Sequence, residues 1–467
     1  MGTLASLLDL AHQSLMANQA AINVTSNNVA NQNTPGYTRQ VVNWQTRDSV
    51  TIGDLNVGGG VSVSQASVRD RVLEQRVQQQ TQLQAQSEAF ESALQQVQNI
   101  FGLTSTSTSA TTTQLGLAMD SFFNALSSLT ANPSDTAARQ KVLSAAYSLA
   151  GAFNSASNQM AQVSANLDKQ VSGYVARINS LTTTIASLNQ QIASNSPDGD
   201  AGILEDQRQQ AIAELSQYIG LNQISTEGNG ITLTTSDGAV LVSGGISYVV
   251  TTAQVSGTSH ILAGPSGQDI TQTVIGGALG GTLAARDGQL PGFQNSRDHL
   301  AYAIGTQINQ VNTQGIDGNG NPGQPLFNLP AIAAGAAGLI QLATNDPQAI
   351  AAASIGEGAT GNSNALLLAG LATGDIIAGQ TPSSFLSTLL GQIGAATAAA
   401  STDNTAQQAT LSQLTTQRNA LSGVSLDEEA ANLTNYQRAY EAAAKVFSIA
   451  DQMMATALNL GVPTSVS

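Results

Sequence analysis

Cysteine is absent from all 467 residues. That excludes disulfides, thiolate metal sites and thiol catalysis. It also suits a chain that crosses from a reducing to an oxidising compartment without forming wrong bridges. Aromatic residues are scarce at 4% and charged residues at 10%, so the 41% hydrophobic content is carried mostly by Ala, Leu, Val and Ile. Such a chain builds long helices and open sheets more readily than aromatic-lined pockets, and its length allows roughly two to four domains. Basic residues are few: 15 Lys and Arg stand against 30 Asp and Glu, for a net charge of −15 and a pI near 4.4. The lysines are Lys141, Lys169 and Lys445 alone, and no basic cluster exists. Partners whose phosphates need Lys and Arg, nucleic acid and anionic membrane surfaces, are therefore not expected. No stretch approaches the roughly eighteen consecutive apolar residues of a spanning helix. The opening "MGTLASLLDLAHQ" lacks a basic region and a continuous apolar core, so it does not read as a cleaved signal. Met1-Gly2 with Ser6 fits a myristoylation pattern, but that pattern is permissive and an ordinary helix start explains it.

What is present is a heptad at each end. Leu8, Leu15, Ile22 and Val29 recur every seven residues, with Leu4, Ala11, Asn18 and Thr25 on the alternate seam. One narrow stripe is too little to fold alone in water. "NNVANQNTPGYTRQ" (27–40) then stops the helix, and Pro35-Gly36 fits a type II turn, Pro at i+1 and Gly at i+2. Near the other end Leu426, Leu433, Tyr440, Phe447 and Met454 are spaced by seven, with Tyr436, Ala443, Ala450 and Ala457 three residues after the last four of them. Ser425 is a candidate N-cap; Asp427, Glu428 and Glu429 load the first turn, and Leu460–Pro463 closes the helix. The termini are expected to pair with each other, with other copies, or with both.

Between them, residues 160–192 carry the cleanest helical register, Met160, Val163, Leu167, Val171, Tyr174, Ile178, Leu181, Ile185, Leu188 and Ile192. Residues 68–101, 203–220, 293–314 and 405–421 also read as helices. The texture changes at about 222–285, where β-branched and polar residues alternate between Asp237-Gly238 and Gly244-Gly245 turns. Residues 46–64 read as a smaller extended or hairpin region. From 326 to 400 the chain is rich in Ala and Gly and carries three charges, Asp346, Glu357 and Asp375.

The expected fold is mainly α with an all-β insert, elongated and multidomain. Its domains are a terminal helical unit (1–45 and 425–467), a discontinuous helical rod (46–221, 286–325 and 401–424), a β-rich outer insert (222–285) and an Ala/Gly-rich insert returning to the rod (326–400).

Chemistry is sparse. His12, His260 and His299 have no companion ligand at helical spacing. "GEGATG" (356–361) meets a dinucleotide pattern without its strand, helix or acidic residue, and reads as a loop. "DGNGNPG" (317–323) resembles a calcium loop but has Pro322 where Gly is needed and Asn328 where Glu is needed, so a tight loop is favoured. No catalytic, cofactor or metal residue is assigned, and an enzyme is not expected.

"NNVANQNTPGYTRQ" resembles the N-terminal signature of bacterial flagellar axial proteins, and "SGVSLDEEAANLTNYQRAYEAAAKVFSIADQMMATALNL" resembles the matching C-terminal signature. "TPGYTRQ" and "GVSLDEEAANL" point within that group to the hook-associated protein 1 family, and "LEDQRQQAIAELSQYIGL", "GGTLAARDGQLPGFQNSRDHLA" and "GIDGNGNPGQPLF" resemble its interior. The resemblance implies termini that form a helical inner tube, with a helical rod outside it and β-rich domains facing solvent. It implies export without a cleaved signal through the flagellar type III apparatus, with a chaperone on the C-terminal region. It further implies self-association in a helical ring between hook protein and the second junction protein, outside the cell, with no cofactor. Asn28, Ala30, Asn31, Thr34, Pro35, Gly36 and Tyr37 form the candidate assembly motif, expected to set the angle at which the chain leaves the tube rather than merely to cap a helix. The alternatives are another axial protein of hook or rod type, and a secreted adhesin or enzyme on a helical stalk with its activity in 222–400.

Overall fold

The computed structural model describes residues 2–34, 36–52, 55–103, 113–195, 202–225, 230–358 and 360–459. Pro35 and the 460–463 helix stop lie outside them. The chain opens with α1 (Gly2–Ala30), then an antiparallel hairpin of β1 (Gln40–Ile52) and β2 (Leu55–Ser67). Four helices follow: α2 (Arg71–Ile100), α3 (Gln114–Ala131), α4 (Thr136–Asn195) and α5 (Ile203–Tyr218). Asp70 starts α2 by accepting from the Val72 and Leu73 N–H groups, and Thr113 caps α3 through the Gly116 N–H.

The β-rich stretch forms two small antiparallel sheets. In one, β3 (Leu221–Ser225), β4 (Ile231–Thr235), β5 (Val240–Ser243) and β6 (Ile246–Ser247) pair in sequence order. In the other, β7 (Thr251–Val255), β8 (Thr258–Ala263) and β9 (Gln268–Asp269) do the same. Both expected turns fall between strands, with Gly238 and Gly244 at positive φ. Helix α6 (Gly277–Leu283) runs through one π-helical turn (Ala284–Gln289) into α7 (Leu290–Gln314). After short bridges come α8 (Ala336–Leu339), α9 (Ser363–Gly370), α10 (Pro382–Ser422) and α11 (Leu426–Asn459).

At 60 residues, α4 is ~90 Å long and forms the spine. Its first part lies in one hydrophobic core with α3, α7 and the end of α2, ending at Leu167. Its second part, from Val171, lies in another core with α5, α6 and the strands. The register read at 160–192 is thus the inner face of a longer helix, and α3 had no reading of its own in the sequence.

The two cores run across two of the expected borders. Residues 326–400 are not a separate insert: Leu326, Phe327, Leu368, Leu386, Leu389 and Ile393 are buried in the first core. The stretch carries few charges because it is interior, and α10 passes through residue 400 unbroken. The strands of 222–285 likewise share a core with α4 and α5, and the N-terminal hairpin is longer than 46–64.

Candidate assembly site at the root of the terminal helices

Helix α1 ends in a chain of local hydrogen bonds. Asn31 turns its amide back to the Asn27 carbonyl at 3.0 Å, and its Oδ1 accepts from the Thr34 hydroxyl at 3.2 Å. Tyr37 N–H then donates to the Thr34 carbonyl at 3.1 Å, with Gly36 at φ +82°. The i to i+3 bond and the positive φ at i+2 are what a glycine at that turn position permits. Ala30 is the exposed last residue of the helix.

One turn earlier, Asn28 is 1% exposed and uses its whole amide. Its Nδ2 donates to the Gln40 carbonyl at 2.8 Å and to Glu429 Oε2 at 3.1 Å. Its Oδ1 accepts from the Tyr37 hydroxyl at 2.9 Å and the Gln40 N–H at 3.0 Å. Toward Gln40 the side chain acts as a neighbouring strand would, and a flipped amide would set donor against donor. Glu429, 2% exposed, stands in the first turn of α11, where a carboxylate suits the helix dipole. Its Oε1 accepts from Arg39 Nε at 2.7 Å, while Arg39 also pairs with Glu428 at 2.7 Å and donates its backbone N–H to the Ser422 carbonyl. Residues some 400 positions apart, one from each terminal signature, therefore touch.

Further ion pairs tie this knot to the rod. Arg69 pairs with Asp206 and, at 3.4 Å, with Glu205 in the first turn of α5. Burial pushes the Asp206 carboxyl up, against the pull of Arg69 and of hydrogen bonds from Thr38. Burial also raises the Tyr37 phenol to about 12, helped by the nearby negative charge of Asp206 and Glu429. Trp44 on β1 leans on Tyr436 of α11 with ring centroids 6.1 Å apart.

From this root α11 packs back along α1, antiparallel. On α1 the apolar seam, Leu8, Leu15, Ile22 and Val29, is only half-buried. Ala11, Asn18 and Thr25 of the alternate seam go deepest, with Ala17, Ala21 and Val24. On α11, Ala443 and Ala450 are buried, Leu433, Tyr440, Phe447 and Met454 are half-buried beside them, and Leu426 is exposed. Small residues allow close approach and the larger ones flank the seam. Arg39 and Gln40 had no role of their own in the sequence reading, and Glu429 was read only as a first-turn acid of α11. The available signal was Glu429, an acid in the heptad register of Tyr436, Ala443 and Ala450.

Other motifs resolve into local caps. Asp317 accepts the N–H groups of Asn319 and Asn321, both at 2.8 Å, within its own loop. The Glu357 carboxylate binds the Ser354 and Ser363 N–H groups beside α9. His260 faces Asp269 at 2.8 Å. Among the described residues no group of three His, Asp or Glu side chains could hold a metal.

The model of the flagellar hook-associated protein FlgK helical domain matches residues 94–327. The chain belongs to the FlgK family of flagellar hook-associated proteins. Membership makes it a structural component of the bacterial flagellum, at the junction of hook and filament. The ends match models shared more widely, the flagella basal body rod protein over 8–38 and the basal body rod FlgEFG C-terminal region over 417–460. Flagellar hook-associated protein 1 of Bacillus subtilis is 29% identical over 97% of both chains. That of Escherichia coli is 31% identical over 70% of this chain and 61% of its own length. The fold matches the flagellar hook junction protein FlgK from Burkholderia pseudomallei at TM-score 0.69, with 19% identity, covering 74% of this chain and all of that one.

Proposed function

We propose that the chain enters the axial structure through its terminal hairpin, α1 with α11, which becomes fully ordered only when neighbouring copies cover it. The observation that carries this is the Asn28–Arg39–Glu429 knot, which fixes the hairpin at one end and leaves the rest with a single narrow seam. Two helices in contact along small residues are marginal in water. Leu7 and Leu10 of α1 and Val446, Ile449 and Met453 of α11 remain exposed toward the free end. In this reading the assembly motif, Asn28 to Tyr37, sets the angle between hairpin and rod. Copies associate head to tail in a helical ring, with hook protein on one side and the second junction protein on the other. Export runs through the flagellar type III apparatus, with a chaperone on the C-terminal helix. The role is structural and not catalytic.

Hydrogen exchange by mass spectrometry on the free chain and on chain assembled onto hooks tests this. Fast exchange across 2–30 and 426–459 in the free chain, with protection after assembly, is expected. Full protection in the free chain would remove assembly-coupled ordering.

A further inference from the structure

The two cores meet at a waist crossed by four helical elements; α2 and α10, packed along each other, stay regular there, while α4 and the α6–α7 run are weakened. On α4 the border falls between Leu167 and Val171. On the α6–α7 run it falls between Leu283 and Ala285, where the backbone enters its π turn. Pro291 follows at once; it has no N–H, and in a regular helix its ring would strike the carbonyl four residues back. The π turn absorbs this, with Leu290 N–H donating five residues back to Ala285.

Glycine is placed at the same level without a packing reason. A Cβ at Gly173, Gly288 or Gly292 would meet nothing within 4 Å, and none of the three has a positive φ. Each lies in a helical run and weakens it relative to Ala. Gly281, by contrast, has the Gln86 carbonyl 2.1 Å from where a Cβ would sit, so packing accounts for it. Open helical glycines also occur away from the waist, at Gly151, Gly370, Gly391 and Gly394.

A single charged cluster spans the gap. Arg286, in the π turn, is 2% exposed at its side chain and bonds Asp168 of α4 at 2.6 Å. It also grips Asp287 with two nitrogens, at 2.7 and 2.8 Å. Asp168 in turn accepts from the Ser259 hydroxyl of β8 at 3.1 Å.

We propose that the molecule bends at this waist, with Gly173, the π turn and Gly288–Gly292 as the compliant backbone and Arg286–Asp168 as the latch that sets the resting angle. Such a joint lets the two halves follow neighbours held at different angles.

The absence of cysteine makes the test direct. Tyr147→Cys on α4 beside the first core and Ile246→Cys on β6 beside the second are both exposed and can carry spin labels on the full chain. Pulsed electron spin resonance then reads the distance distribution between the halves. The parent is expected to give a broad distribution. Gly173→Ala/Gly288→Ala/Gly292→Ala should narrow it, and Asp168→Asn should broaden it. Amide exchange across 284–292 in the alanine variant should slow roughly ten- to thirty-fold, the local effect of two glycine-to-alanine changes in a helix. A narrow parent distribution, or one as broad in the alanine variant as in the parent, would overturn the joint. Neither readout depends on whether the chain assembles on hooks.

Discussion

Asn28 joins three segments, and its position explains why an amide serves there better than an apolar residue. Its partners are buried backbone groups of Gln40, a buried carboxylate and a half-buried phenol, so removing it strands donors and acceptors that water cannot reach. Asn28→Ala should cost about 2–4 kcal/mol by urea denaturation, since each stranded group costs about 1–3 kcal/mol. Asn31→Ala, whose bonds are exposed, should cost under about 1 kcal/mol. Equal losses would mean that the amide at 28 does no more than cap a helix. Tyr37 supplies a pH signature for the same knot. Its phenol is raised from 10.0 to about 12, so the folded chain holds that proton more tightly than the unfolded chain does. Stability from this source is complete below pH 10 and is lost as pH rises from about 10 to about 12. The difference in alkaline unfolding between the parent and Tyr37→Phe isolates it from the other seven tyrosines, eight being present. Identical alkaline midpoints would remove the proposed shift.

Among the elements, most helices with a repeating face were legible, although α3 was missed despite its buried Leu115, Met119, Phe122, Leu126 and Leu129. The 160–192 register, the 203–220 helix and the β-branched strands with their Gly turns all stand where their patterns put them. The pattern failed where small residues break up the repeat. In 326–400 the buried Leu, Ile and Phe residues are scattered among Ala and Gly and give no periodic contrast, so the segment read as an insert returning to the rod. On α1 the sequence pattern names Leu8 to Val29 for packing against the other terminus or other copies; within the single chain the alternate seam, Ala11, Asn18 and Thr25, lies deeper. The candidate site was half legible. Local turn chemistry exposed Asn28 to Tyr37, but the partner Glu429 is distant in sequence and nothing local announces a contact across the chain. Close backbone approach is similarly silent. Gly220, Gly277 and Gly281 let α2, α5 and α6 touch, and an added Cβ would lie 2.0 to 2.3 Å from backbone atoms.

For the whole molecule, the terminal hairpin is the part whose fold and function make opposite demands. A soluble monomer should bury its apolar residues, whereas Val446, Ile449 and Met453 are 43%, 57% and 52% exposed, spaced to share one face of α11. Exposure of that kind contributes little to the monomer, so replacing the three with Gln, a good helix former, should change its stability by no more than about 0.5 kcal/mol per site. If the face is where copies meet, the same change should abolish filament attachment, because burying three amides costs what three apolar contacts would have contributed. Electron microscopy of cells carrying Val446→Gln/Ile449→Gln/Met453→Gln, beside thermal melting of the purified chain, separates the two effects. Unchanged melting with bare hooks is the expected pair of results. Unchanged melting with normal filaments would mean that the exposed face is not an assembly surface. The knot at Asn28 and Glu429 would then serve only to hold one chain together.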